Sequence, residues 1–307
     1  MKRTVAIALL GLSLGLFGCN NTRLGILKPS GQTAPNAATP TPAQLVSYLN
    51  NNAERIQSLR FEDMDLTCTQ GLQSFGLRGK MVLQKPRNFR MSGDAFGKQE
   101  VDIGSNDQEF WFWIARDNPS YQWFCSYKDL SDGQVKHMPL PFQPDWIIET
   151  LGLGQYGPAE KYQLEADQDT LKLVERTRSP QGYPVRKVIV FRRREVFPPQ
   201  AQVTQYLLID EASNQEICSA HILDTQMERG SKGVVPRRIE LRMPSQKLKL
   251  AMKLDGMSAN LALPAPAFVR QPLQGIPSVN MATGKQDSGV QPVQAQGFGP
   301  PNLPQPK

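Results

Sequence analysis

The chain has 307 residues, with 35 Lys and Arg against 28 Asp and Glu and a formal charge of +7. That excess is dispersed, with one short run at Arg192-Arg193-Arg194 and a pair at Arg237-Arg238; a nucleic-acid binder would gather its charge on one face or segment, so nucleic acid is not an expected partner. With two histidines, four cysteines and neither Cys-x-x-Cys nor His-x-x-x-His, the sequence shows no ligand set for a metal site of the usual kind.

At the amino terminus Lys2 and Arg3 precede an apolar run from Val5 to Phe17. The run is shorter than the roughly 20 residues that cross a bilayer, and it fits the apolar region of a secretory signal. It ends on Leu16-Phe17-Gly18-Cys19, which resembles the bacterial lipobox, Leu-x-small-Cys. The resemblance implies a signal peptide over residues 1–18, cleavage between Gly18 and Cys19, and acylation of Cys19. The expected location is the cell envelope, facing the periplasm and held to a membrane by acyl groups. Asn20 stands where an Asp would retain an enterobacterial lipoprotein at the inner membrane, which favours the outer one. Residues 19–41, rich in Asn, Thr, Pro and Gly, read as a flexible tether.

A domain is expected over 42–263. It opens with a helix at Pro42-Ala43, in which Leu45, Leu49, Ala53 and Ile56 recur on one face. After Leu59 the period becomes two. Met64, Leu66 and Cys68 alternate with polar residues, as do Leu77, Met81 and Leu83, and later Leu248, Leu250, Met252 and Leu254 against Lys247, Lys249 and Lys253. Such alternation marks antiparallel strands with one apolar and one wet face. Further strands are expected near 87–92, 100–104, 109–115, 122–128, 161–166, 169–176, 185–194, 203–210, 215–224 and 238–243. A second short helix is expected from Pro144 to Leu153, with Trp146, Ile147 and Leu151 as its apolar residues. Residues 264–307 carry many prolines and glutamines and no apolar period, and read as a disordered tail.

The predicted fold is therefore mainly β with a few helices. Two helices cannot cover the apolar face of a dozen strands, and large exposed apolar patches are rare. Either the sheet closes on itself, or it curls around a helix and leaves a groove for an apolar ligand.

The order helix, strands, helix, strands, together with Gly79-Lys80-Met81-Val82-Leu83-Gln84-Lys85-Pro86-Arg87-Asn88-Phe89-Arg90 and the later Ile103-Gly104-Ser105-Asn106-Asp107-Gln108-Glu109-Phe110-Trp111-Phe112-Trp113, resembles the LolA/LolB superfamily of bacterial lipoprotein carriers. The resemblance covers about residues 43–130 by motif and 160–255 by strand count. It implies a half-open β-barrel of about eleven strands plugged by helices, whose concave face holds an acyl chain or a lipoprotein.

Phe110, Trp111, Phe112 and Trp113 form a strand aromatic on both faces, which must be covered on both faces. Either Phe110 and Phe112 or Trp111 and Trp113 would line a ligand groove; plain core packing is the competing expectation. Beyond Cys19 an odd number of cysteines remains, and Cys68 and Cys125 either form a disulfide across the sheet or stay as buried thiols with Cys218. His137 lies in the loop Lys136-His137-Met138-Pro139 and His221 in a strand run, and no phosphate loop or dinucleotide fingerprint is present. No enzyme and no cofactor are expected. The two functions left are a lipid- or lipoprotein-binding carrier and a non-enzymatic interaction or sensing module with an envelope protein partner.

Overall fold

In the computed structural model the described residues are 39–286, except 118, 136, 137, 139–143 and 180. The signal peptide, Gly18, Cys19, most of the tether, His137 and the end of the tail lie outside them. Among the described residues no helix is long and apolar enough to cross a membrane.

Helix α1 spans Pro42–Glu54. It starts where the sequence provides a start: Thr41 accepts from the Gln44 amide, and the Gln44 side chain returns a bond from the Thr41 amide, a capping box with proline in the first turn. Leu45, Val46, Leu49 and Ala53 face inward.

The strands that follow are β1 (Ser58–Gln70), β2 (Gln73–Gln84), β3 (Asn88–Ala95), β4 (Lys98–Ser105), β5 (Glu109–Ile114) and β6 (Gln122–Ser126). After a connection come β7 (Tyr162–Ala166), β8 (Thr170–Arg178), β9 (Pro184–Arg192), β10 (Val203–Asp210), β11 (Glu216–Met227), β12 (Val234–Met243), β13 (Leu248–Ala259) and a short β14 (Ser278–Asn280). All fourteen join one curved sheet in the order β14-β6-β5-β4-β3-β2-β1-β13-β12-β11-β10-β9-β8-β7. Every neighbouring pair is antiparallel except β14 with β6. The sheet is not closed into a barrel, and its strand count exceeds the eleven expected.

Strands β6 and β7 follow one another in sequence yet lie toward opposite edges of the sheet. The chain between them must therefore cross the sheet. It does so with α2 (Tyr127–Ser131), α3 (Pro144–Ile148) and a π-helical turn, Glu149–Leu153, that contains Gly152 at φ 78°. Trp146, Ile147, Leu151 and Leu153 join α1 and the inward residues of the strands in a single core. The expected helix over 144–153 is thus two short pieces. Gly152 supplies a left-handed turn that a β-carbon would strain.

The Lys85-Pro86-Arg87 turn fastens both helices to the sheet. Lys85 Nζ donates to the carbonyl of Ala53, near the end of α1. Arg87 Nε donates to Asp145 Oδ2 at 3.0 Å, and its guanidinium lies 4.1 Å from the ring centre of Tyr127. The Tyr127 hydroxyl donates to Asp145 Oδ1 at 2.8 Å. The residues that carry the family resemblance are therefore structural latches.

Residues 264–286 correct the expectation of a disordered tail beginning at Pro264. Ala265–Phe268 form a 3-10 turn, Phe268 and Val279 are buried, and β14 hydrogen-bonds along β6. Gln122 donates to the carbonyl of Gln271 and accepts from Ser278, Asn106 donates to the carbonyl of Phe268, and Arg270 Nε meets Glu109 at 3.1 Å. The Arg270 guanidinium stacks 3.8 Å over the Phe124 ring. Phe124 sits directly opposite Trp111 across the ladder, so the two share a face. This segment is the cover for the outer side of the aromatic strand. Composition hides it because a strap held by a few anchors needs no period.

Candidate functional site

The four aromatic residues of β5 divide by face as alternation requires, and none lines either of the two cavities described below. Phe110 and Phe112 point into the main core, with ring centres 5.6 Å apart in an edge-to-face pair. Trp111 and Trp113 point to the other face. Trp111 Nε1 donates to Asp102 Oδ2 at 3.1 Å, and Trp113 Nε1 donates to Ser120 Oγ at 3.1 Å. Gly104 leaves room for the Trp111 ring, since a β-carbon there would stand 2.2 Å from it. The core-packing expectation is the one these residues meet.

Cys68 and Cys125 are free thiols, as is Cys218. Cys68 is on β1 and Cys125 on β6, with four strands between them, so the proposed disulfide is absent. Burial, then the nearby Asp129 carboxylate, pushes the Cys125 thiol up to about 12. Burial raises Cys218 further. Neither is a nucleophile at neutral pH.

The space in the molecule lies elsewhere. A cavity of about 450 Å³ sits between the α3–π-turn segment, the loop at 155–161 and the inner face of β7–β10. Leu173 and Ile189 form its apolar floor on β8 and β9, with Trp146 on the helix side. Three phenols, Tyr156, Tyr162 and Tyr206, also line it. A second space of about 50 Å³ lies between α1, the π-turn and β10–β12, and Tyr206 borders both.

The polar groups of the larger cavity are arranged with care for charge. Lys187 Nζ meets Glu149 Oε1 at 2.9 Å and Oε2 at 3.3 Å. Burial works to lower the Lys187 ammonium, and the Glu149 carboxylate, with Glu175 beyond it, outweighs burial and holds it above the ordinary lysine value. Burial, followed by the Glu175 carboxylate, pushes Tyr162 up to about 12. Tyr156 and Tyr206 are raised too, chiefly by burial. All three phenols are neutral hydroxyls at physiological pH. Such a site can hold an apolar body and hydrogen-bond a polar end; among the described residues no group of three or more His, Cys, Asp or Glu gathers for a metal.

Part of this wall has a sequence signal. Tyr206 and Leu208 alternate inward in the expected strand 203–210, and Trp146 lies on the apolar side of the expected helix. Tyr156 has none, because its position comes from a distant clamp. Asn50 on α1 donates to the Tyr156 carbonyl at 3.2 Å and accepts from its amide at 3.0 Å. Asn52, next but one, holds the carbonyls of Gly152 and Val234.

The chain is thus a curved antiparallel sheet wrapped around helices, with a cavity left between them. Solved structures of similar form include a LolA superfamily protein from Nitrosomonas europaea, at 12% identity and a TM-score of 0.46 over 74% of this chain and 97% of that one. An outer membrane lipoprotein-sorting protein domain from Vibrio parahaemolyticus matches at 8% and 0.47, over 73% of this chain and 95% of that one. A DUF1329 family protein from Desulfovibrio piger matches at 8% and 0.47, over 75% and 98%. No family model matches the sequence, and no curated protein does. The likeness is one of overall form at low identity, so the chemistry is argued from this chain's own residues.

Proposed function

We propose that this chain is an envelope lipoprotein, anchored through Cys19, whose domain holds an acyl chain or an acylated protein in the cavity beneath α3. The observation that carries this reading is the cavity itself, about 450 Å³ with an apolar floor and a polar side. Burying a dozen methylenes contributes a gross of about 10 kcal/mol at roughly 0.8 each. Association and ordering offset several of these, which leaves micromolar affinity. The role needs no acid, base or nucleophile, and we read the protein as non-enzymatic.

Native mass spectrometry of the domain released from membranes tests the reading. A co-purifying lipid, displaced by a fluorescent fatty-acyl probe with saturable binding, supports it, and an empty domain that ignores the probe removes it. The anchor is checked separately. Cys19→Ala is expected to accumulate as uncleaved precursor without labelled palmitate, and a labelled mutant would overturn the lipobox reading.

One observation favours an interaction module as the second reading. Leu72 and Phe96 stand fully exposed, at 104% and 103%, on the turns of the adjacent β1–β2 and β3–β4 hairpins. Two bare apolar tips at one end of a sheet are what an envelope protein partner would cover. In that case the same experiment finds an empty domain carrying a protein, and Leu72→Glu loses it.

A further inference from the structure

The loop between β9 and β10, residues 193–202, uses its hydrogen bonds to fix its shape and then puts its one aromatic side chain in water. The Gln202 side chain donates to the Arg192 carbonyl at 2.7 Å and accepts from the Val196 amide at 3.0 Å. The Gln200 amide closes a turn on the Phe197 carbonyl, and the Thr225 amide on β11 donates to the Pro199 carbonyl. Ala201 at the loop's base is buried. Phe197 is nonetheless 74% exposed. A loop braced at so many points does not fold that ring back onto the protein, so the exposure is built in.

Helix α1 lies at the same end of the sheet. Asn52 donates to the carbonyl of Val234 at the start of β12, and Arg55 donates to the carbonyl of Lys232 in the β11–β12 turn. The Tyr48 ring meets Phe191, near the end of β9, with centres 6.4 Å apart. Six helical residues, about 9 Å, separate Tyr48 from Pro42. The chain that leads back to Cys19 therefore joins the domain at the end where Phe197 projects.

That end is also basic. The loop, its base and the β11–β12 turn carry exposed Arg192, Arg193, Arg194, Arg229 and Lys232 against Glu195 and Glu228. The β7–β8 turn adds Asp167 and Asp169, of which Asp167 is already paired with Lys172 at 2.8 Å. A second exposed apolar residue, Met227, ends β11 two positions after the Thr225 that ties the loop. A stable protein interface needs a filled apolar centre and about 800 Å² from each partner. Here the apolar side chains stand apart with cations around them. A bilayer interface, which has no fixed shape, accepts separate side chains of this kind, and aromatic rings are enriched there.

We infer that this end of the domain rests on a lipid surface carrying anionic head groups, with Phe197 set into the interfacial layer and Arg194 against the phosphates. The inference rests on the Cys19 anchor proposed above and adds to it a second contact. The 22 residues from Asn20 to Thr41 reach at most about 75 Å, so the anchor alone sets no orientation. A weak second contact, made intramolecular by the anchor, fixes which face meets the membrane.

The test uses the mature chain carrying Cys19→Ser, so that no acyl group is added and the loop's contribution is read alone. It is sedimented with vesicles of phosphatidylethanolamine and phosphatidylglycerol, or of phosphatidylcholine only. The anionic vesicles are expected to bind it, less so as salt is raised. Phe197→Ala is expected to weaken binding about tenfold, and Arg194→Ala about fivefold. Neither should move the melting temperature, since both side chains are exposed. Tyr183→Ala removes an exposed aromatic from the turn at the other end of β9 and is expected to change nothing. The inference is overturned if the anionic vesicles bind no better than the neutral ones, if they hold Phe197→Ala as well as the parent chain, or if Tyr183→Ala loses as much. None of these results bears on palmitate labelling of Cys19 or on acyl binding in the cavity, which fail or stand by their own tests. In cell membranes, benzoylphenylalanine in place of Phe197 in the acylated chain separates the two occupants. A phospholipid adduct supports the inference, and a protein adduct overturns it in favour of the interaction module.

Discussion

Ending the chain after Leu263 is expected to lower the melting temperature by about 10 °C or more and to promote association of the truncated protein. The cut removes buried Phe268 and Val279, each contributing about 1.5–3 kcal/mol by burial. It also strands several partners. Gln122, fully buried, loses the Gln271 carbonyl and the Ser278 hydroxyl. Glu109 loses Arg270, and Phe124 loses the guanidinium that covers it. For a domain of this size each kcal/mol shifts the midpoint by about 2–4 °C. The bare edge of β6 then offers its backbone groups to another chain. Thermal unfolding followed by light scattering reads both effects. Ending after Gln286 instead removes none of these contacts and is expected to shift the midpoint by no more than about a degree. A midpoint for the shorter form equal to that of the full chain would show that residues 264–286 contribute nothing to the fold.

The second large effect is expected at Arg90. Its Nε donates to Asp102 Oδ1 at 2.9 Å, and Asp102 is fully buried with the Trp111 indole on its other oxygen. Arg90→Ala leaves a buried carboxylate with one neutral donor. Breaking a buried ion pair in this way costs about 3–5 kcal/mol, mostly the penalty of the charge left behind. The double variant Arg90→Met with Asp102→Asn is expected to recover most of that loss, because the amide oxygen still accepts from Trp111 and no charge remains. Denaturant midpoints of the three proteins decide it. If the double variant is no better than the single, the loss comes from packing of the arginine stem instead.

Both predictions concern the outer face of the β3–β6 region, which the chain treats as a second interior. The aromatic strand implies that both of its faces are covered, and they are. Its placement at the ligand groove does not follow, because a strand that is apolar on both sides is filled by its own protein before any ligand arrives.

Alternation made β1, β2, β12 and β13 legible, since a one-sided sheet imposes a period of two on every strand that shares its core. The capped start of α1 was legible for the same local reason: Thr41, Pro42 and Gln44 act within one turn. The composition of residues 264–286 concealed an ordered strap, because its few apolar anchors are separated by prolines and glutamines. Helix α2, capped by Ser126, begins inside the expected strand over 122–128, at Tyr127, and runs on to Ser131.

What the sequence determined by itself is therefore the local pattern: the export signal and lipobox as expectations, the strands by their period, the helix by its cap, and the need to cover a large apolar face. Only the tertiary structure decided where space remained. The cavity exists because β6 and β7 lie toward opposite edges and the chain between them crosses the concave face with short helices that fill it incompletely. Its wall joins Trp146, Glu149, Tyr156, Lys187 and Tyr206, residues of separate elements whose meeting has no period and no spacing. A strand's face is written in its neighbours along the chain, but a void is set by what distant segments fail to fill.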